Sequence, residues 1–362
     1  MLKKAAALLL VCASMGAWTG CGTTSSNFLY AAIPNSNEIV AFREDPNSGA
    51  LTQIVGSPIT AGQAVQSLVL HPSKKFLYAA NSGATPNGTV SQFDISSGGA
   101  LTEVTPRQTV GTAPTLMVMD TPGSYLYVAN SGSFDISVFS IDSGKGGLTP
   151  VPQIGGTTAG IGLSALNMAL SPSGNTLFVT GQGPTQGYIE EFSVTKGVLG
   201  TPVQGSPFLT GNGPYGLAID SSGSHLYTAN RIDSSISAFS IGSSGALTLI
   251  STIGLTSLNS GPVSLFIDKS GKYLYVANQG SANLGAFSIG SDGSLTLLTN
   301  SPFATGSQPS IVTGDASGKY LFVGNQSTPV IQSFSLDTGS GTLTSVASYA
   351  VPAAATSIVI TP

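Results

Sequence analysis

The sequence predicts an all-β chain folded as one seven-bladed propeller of four-stranded blades, closed by its last strand. Three observations carry this reading. A seven-fold repeat runs with a period near 49 residues, each repeat holds four short strand patterns, and the C-terminal segment matches the one strand the first repeat lacks.

The repeat is anchored by seven aromatic residues, Tyr30, Tyr78, Tyr127, Phe178, Tyr227, Tyr275 and Phe322, spaced 48, 49, 51, 49, 48 and 47 residues apart. Each lies in a segment such as FLYAAN (76–81) or YLYVAN (273–278) that is apolar on both faces, as a strand sandwiched between neighbouring blades requires. A second aromatic follows at Phe42, Phe93, Phe139, Phe192, Phe239, Phe287 and Phe334, 12 residues on in five copies, 15 in the second and 14 in the fourth. The two longer offsets fall in Gly- and Pro-containing turns and read as loop insertions. Next comes a Gly-x-Leu-Thr turn and strand, as at Gly49 to Thr52, and then a run such as Pro262 to Asp268 that leads into the next copy. We letter the strands of a blade A (the Pro262 type), B (YLYVAN), C (the second aromatic) and D (Leu-Thr), from the axis outward. Strand D carries Ser57-Pro58, Ser206-Pro207 and Ser301-Pro302, and proline on an outer strand blocks pairing between molecules.

The chain enters the repeat at a B strand, and Thr356 to Pro362 match an A strand, comparable to Gln66 to Pro72. The C-terminal segment is therefore expected to complete the first blade. A stacked solenoid could share the period but would not leave complementary fragments at its two ends.

Composition agrees with a packed β fold. Charged residues make up 8% of the 362 positions and apolar residues 41%, with 46 glycines to serve tight turns. Residues 1–21 read as an export signal. Lys3 and Lys4 precede an apolar stretch from Ala5 to Ala17 that is short for a membrane span, followed by Trp18-Thr19-Gly20-Cys21. Small residues before that cysteine resemble a bacterial lipoprotein signal, so Cys21 is the expected lipidation site, and Trp18 departs from the usual aliphatic residue. The expected location is the bacterial cell envelope, with the membrane met only through the lipid. Residues 22–27 form a tether of at most ~20 Å, and the propeller occupies 28–362. Cys12 lies inside the signal, so no intramolecular disulfide or cysteine-based metal site is expected. Without Lys3 and Lys4, ten basic residues face sixteen acidic ones with no basic cluster, which argues against a nucleic-acid partner.

No nucleophile elbow, P-loop, HExxH or calcium-loop pattern is present, and no cofactor or metal is expected. His71 takes the place held by Asp120, Asp220, Asp268 and Asp315 in other repeats, and His225 replaces Phe76, Tyr125, Tyr273 and Tyr320; both read as structural. Asn81, Asn130, Asn230, Asn278 and Asn325 recur after strand B, where asparagine accepts a left-handed backbone or caps a turn. Function is sought instead in departures from the repeat. Arg231 stands in a B–C loop position that elsewhere holds small or amide residues. Arg107 ends the second strand D, beside Gln108. Glu190 and Glu191 interrupt the fourth strand C, and Asp135 follows an unusual Phe134. B–C and D–A loops emerge on one face, so Arg107 and Arg231 are expected near one channel mouth, where paired cations suit a carboxylate or phosphate. Asn230, Gln108 and Asp135 are further candidate ligand contacts. For each residue taken singly, a solvated surface charge is the competing reading.

The stretches LHPSKKFLYAAN (70–81), DKSGKYLYVANQGSANLGAFSI (268–289) and DGSLT (292–296) resemble the bacterial lactonase propellers, which include cycloisomerase-type 6-phosphogluconolactonases and muconate-lactonizing enzymes. The resemblance spans the repeat region and implies lactone hydrolysis. That family's distinctive stretch reads Arg-Gln, a Pro-His-x-His cluster, then Asp-Leu-Gly-x-Asp. Here Arg107-Gln108 matches, Thr109 to Leu116 holds no histidine, and the later loop carries Asn130 for the first aspartate and Asp135 displaced by one place. The resemblance thus implies Arg107 as oxyanion stabiliser, with Glu190 or Glu191 left to activate water. Two functions are expected to compete: hydrolysis of a small anionic sugar-acid lactone, and non-catalytic binding of a ligand or envelope protein. A monomer is expected in either case.

Overall fold

The computed structural model describes residues 27–361 apart from 155, 157, 162, 163 and 256–260. The expected export signal, Cys21 and residues 22–26 of the expected tether lie outside the described residues, while Asn27, expected to end the tether, opens the first strand. No helix among the described residues is long and apolar enough to cross a membrane.

Seven antiparallel sheets form the ring, and each follows the predicted order A-B-C-D. Blade 5 is typical: A is Pro214–Ile219, B is His225–Asn230, C is Ser235–Ile241 and D is Leu247–Gly254. The first blade takes its inner strand from Ser357–Ile360, which pairs with Asn27–Ile33 in the register Leu29 to Ile360 and Ala32 to Ser357. The ring closes as the sequence indicates.

Alternation along strands B and C sends successive side chains into opposite neighbours. Seven apolar clusters result, one at each seam between blades. In four blades the repeated tyrosine of strand B also latches onto the next blade: Tyr30 Oη donates to Gly99 O at 2.9 Å, Tyr78 to Gly146 O at 2.7 Å, Tyr227 to Gly293 O at 3.0 Å and Tyr275 to Gly341 O at 2.8 Å. These hydroxyls are buried, and burial holds their pKa well above the ordinary phenol value.

Strand D differs from expectation. In blades 1, 3, 4 and 6 it is split in two, as in Leu51–Gln53 and Ile59–Thr60 of the first blade. In blades 1, 4 and 6 the break is the Ser-Pro pair. The proline has no N–H to offer the ladder, and the serine hydroxyl takes over as partner of strand C. Ser57 Oγ accepts from Ala41 N at 2.8 Å, Ser206 Oγ from Glu191 N at 3.0 Å and Ser301 Oγ from Ala286 N at 3.0 Å.

The two ends of the ring are built from different connections. A–B and C–D turns make the lower face. Asp268 Oδ1 accepts from Lys272 N and Tyr273 N at 2.9 and 2.8 Å, and Asp120, Asp220 and Asp315 cap their A–B turns in the same way. His71 fills this slot in blade 2 with Nδ1 on Ser73 and Nε2 3.0 Å from Gly123 O, and His225 Nδ1 lies 2.8 Å from Asp220 Oδ2. Both histidines are structural. B–C turns and D–A loops make the upper face.

Candidate functional site

On the upper face, the residue after the last position of strand B is pinned beside the axis by a repeated backbone bond. Ser82 N donates to Ala64 O, Ser131 N to Ala113 O, Arg231 N to Gly213 O, Gln279 N to Gly261 O and Gln326 N to Gln308 O. The accepting residue precedes strand A and has a left-handed backbone, with φ of 50° at Ala64 and Ala113 and 57° at Gln308. This geometry points the same turn of these five blades at the channel mouth. What varies is the side chain. Blades 1, 2 and 3 present Pro34, Ser82 and Ser131, whereas blades 4 to 7 present Gln182, Arg231, Gln279 and Gln326.

Small residues on one side and long polar ones on the other leave an off-centre cavity of about 480 Å³ at the mouth. Arg231, Gln279, Gln326 and Gln308 line it, with Tyr215 and Ser310 beneath. The Arg231 guanidinium lies over the Tyr215 ring, 5.4 Å from its centroid, an attraction of cation for ring face that fixes the charge near the opening. No ion-pair partner of Arg231 is found among the described residues. Asp233, two residues on, is engaged elsewhere, accepting from Asn212 N at 2.7 Å and Asn212 Nδ2 at 3.0 Å. Gln279 Nε2 donates to Gln326 Oε1 at 2.9 Å, which orients both amides and leaves Gln279 Oε1 and the Gln326 amide protons for a ligand. Gln182 turns aside, donating to Asn212 Oδ1 and accepting from Gly213 N. No carboxylate or imidazole is among the residues lining this cavity.

Of the residues singled out from sequence, only Arg231 reaches the mouth. Arg107 sits on the outer strand Leu101–Thr109 and closes a two-pronged pair with Glu103, Nε to Oε1 at 2.6 Å and Nη2 to Oε2 at 3.0 Å. The hydrogen bond to Glu103 raises the Arg107 pKa. Burial pushes the Glu103 carboxyl up, but hydrogen bonds from Arg107 and Ser91, with the Arg107 charge, outweigh it and hold it below the usual range. Sharing a face with Arg231 is not enough. Strand D is three strand spacings farther out than strand A, roughly 14 Å. Gln108 lies on the same outer strand, paired with Val90.

Glu190 and Glu191 also stand away from the axis, on the third strand Gly187–Thr195, and point in opposite directions. Tyr188 and Phe192, on the same side as Glu190, pack on blade 3, while Ile189, on the same side as Glu191, packs on blade 5. Glu190 Oε2 is buried without a partner, and burial raises its pKa. Glu191 is wholly buried, neither oxygen has a hydrogen-bond partner among the described residues, and burial pushes its carboxyl up to about 7. Neither glutamate can activate water for a ligand in the mouth.

Asn230 is fully buried: its Nδ2 donates to Ser235 Oγ and Ser237 Oγ, and its Oδ1 accepts from Thr210 and Thr228 hydroxyls. It ties strand B to its neighbours and has nothing left for a ligand. Asn81 and Asn130 likewise bridge to strand C through Nδ2, which is why asparagine recurs there. Asp135 belongs to a separate cavity of about 450 Å³ with Thr112, Ser133 and Thr158; its oxygens accept from Asn130 Nδ2, Ser133 Oγ and Thr158 Oγ1 at 2.7 to 2.9 Å. Gln279, Gln308, Gln326 and Tyr215 were not singled out from sequence. The available signal was the residue after strand B compared across all seven repeats.

The model of the family described as "Lactonase, 7-bladed beta-propeller" matches residues 59–360. A 6-phosphogluconolactonase of Erwinia tasmaniensis is 32% identical over 219 residues, 59% of this chain and 61% of that protein. One from Cronobacter sakazakii is 29% identical, over 60% of its own length. The matched segment thus spans about three fifths of these relatives. Among solved structures, a candidate 6-phosphogluconolactonase of Bacteroides fragilis superposes with a TM-score of 0.80 at 24% identity, covering 94% of this chain and 99% of that one. A periplasmic gluconolactonase of Pseudomonas aeruginosa superposes at 0.75 and 20% identity, covering 93% and 99%. At these identities the superpositions speak for the fold, and the family match speaks for descent: the chain belongs to the lactonase family of seven-bladed β-propellers.

Proposed function

We propose that this propeller binds a sugar-acid lactone in the upper channel mouth and opens its ring with water. The observation that carries this reading is the off-centre cavity in which a single unpaired-up guanidinium, that of Arg231, stands among amide side chains. In the reaction, a water oxygen adds to the lactone carbonyl carbon and the carbonyl oxygen takes up negative charge. The ring C–O bond then breaks, the ring oxygen leaves as a hydroxyl with a proton from the water, and a carboxylate and a proton remain. Arg231 is suited to stabilise the charge that develops on the carbonyl oxygen and then the carboxylate product, and the glutamines are suited to hold sugar hydroxyls. Family membership supports lactone chemistry independently of the cavity.

A specific observation favours a second reading, binding without catalysis. The lining holds no carboxylate or imidazole to accept the proton of the attacking water. The deciding experiment is hydrolysis of aldonolactones by purified residues 22–362, followed by proton release against the spontaneous rate. Turnover that falls at least 10-fold in Arg231→Ala supports the hydrolase. Binding of aldonates with no turnover supports the binding protein.

Export and anchoring through Cys21 form part of the proposal, supported by the basic, apolar and small-residue order of residues 3–21. Strand B of blade 1 starts at Asn27 on the lower face. An anchor a few residues upstream would therefore leave the mouth turned away from the membrane and open to incoming ligand.

A further inference from the structure

We infer that the mouth selects sugar lactones and sugar acids that carry no phosphate. The inference rests on the lactone reading above and deepens it. Its basis is the distribution of positive charge over the described residues. Every lysine among them lies on the lower face. Lys74, Lys75, Lys269, Lys272 and Lys319 occupy A–B turns, and Lys145 and Lys196 occupy C–D turns. Arg43 sits at the lower end of strand Glu38–Glu44, and Arg107 is consumed by Glu103 on the outer rim. The upper mouth is left with one cation, Arg231.

A phosphomonoester carries nearly two charges at neutral pH and three strong acceptor oxygens, and proteins hold it with clustered arginines, lysines or helix N-termini. None of these is available at the mouth. One guanidinium would leave about one charge uncompensated, and the Asp233 carboxylate two residues away would add repulsion. A single carboxylate or a developing oxyanion, by contrast, matches one arginine in charge and in its planar fork of donors.

The remaining lining fits hydroxyl groups. Gln279, Gln308 and Gln326 come from two adjacent blades and each offers donors and an acceptor, the pattern a polyol needs. Gln279 and Gln326 occupy positions where a charged side chain is sterically acceptable, since the equivalent position in blade 5 holds Arg231 itself. The amide-rich wall is thus a specificity feature: it recognises hydroxyls where a phosphate-binding mouth would place lysine or arginine.

The test is calorimetric titration of residues 22–362 with D-gluconate and with 6-phospho-D-gluconate at pH 7.5 and two salt concentrations. The expected result is at least 10-fold tighter binding of gluconate. In Gln326→Lys, which adds a cation to the mouth, the preference narrows or inverts, and the phospho-acid gains the steeper salt dependence. Equal or tighter binding of 6-phosphogluconate by the unaltered protein overturns the selectivity while leaving the lactone reading in place. Binding of neither acid, nor of gluconolactone as competitor, overturns both.

Discussion

The seam between blades 1 and 2 and the seam between blades 4 and 5 solve the same packing problem with different chemistry. In the first, Tyr30 donates to Gly99 O, and twelve buried apolar residues fill the space. In the second, the tyrosine is replaced by Phe178, only five buried residues form the cluster, and the Glu191 carboxyl lies against Gly245, the counterpart of Gly99. Gly245 has φ of 96°, and a Cβ there would run into Glu191 Oε1, so the position accepts glycine on both counts. Blade 2 shows a third solution at the residue equivalent to Glu191: Gln92 Nε2 donates to Lys145 O of the next blade at 2.7 Å. The comparison teaches that the repeat tolerates a lost latch, and that at the seam of blades 4 and 5 a titratable group stands in its place.

The largest expected effect follows from that group. The Glu191 carboxyl is raised from 4.5 to about 7 in the folded state, so its protonated form is the one the fold favours. Its contribution is full below about pH 4.5 and is lost as pH rises through about 7, a swing of roughly 3 kcal/mol. Glu44, buried in blade 1 and also raised to about 7 despite its bond from Asn27, titrates in the same window. Glu191→Gln should copy the Gln92 arrangement, raise the melting temperature at pH 8 and halve the pH dependence between 5 and 8. An unchanged pH profile in this variant would place the sensitivity elsewhere.

Breaking an intact latch should cost less. Tyr30→Phe removes one buried hydrogen bond and leaves Gly99 O unpaired, for a loss of about 1 to 2 kcal/mol in urea denaturation. A loss above 3 kcal/mol would mean that latches, and not apolar burial, hold the seams. The smallest effect belongs to the mouth: Arg231→Ala removes an exposed side chain with no ion pair among the described residues, and stability should stay within about 0.5 kcal/mol. That contrast separates residues that hold the ring from the one proposed to meet the ligand.

The same contrast explains how far the sequence could be read. The blades, their strand order and the closing strand were legible because each is stated seven times, and sevenfold agreement overrides any single weak strand. The split of strand D was not, since the serine hydroxyl that replaces a ladder bond looks like an ordinary turn residue. Arg231 was visible as a departure from the repeat. Arg107, Glu190 and Glu191 were departures too, but a linear pattern marks that a residue differs without giving its distance from the axis. Strands C and D hold those three at the seams and the rim. Gln279 and Gln326 escaped notice for the opposite reason: a glutamine in a turn is unremarkable until its blade mates at the same position prove to be proline and serine.

Closing the first blade joins residues far apart in sequence, with Phe28 N bound to the Thr361 hydroxyl, 333 positions away. A contact of that span carries a large loop entropy and arrives late in folding. The blade that is made first is therefore finished last. Until the chain has been synthesised through Ile360, the inner edge of Asn27–Ile33 stays open. Closure is then the step that locks the ring, because it seats the last strand of the chain against the first and leaves no inner edge unpaired.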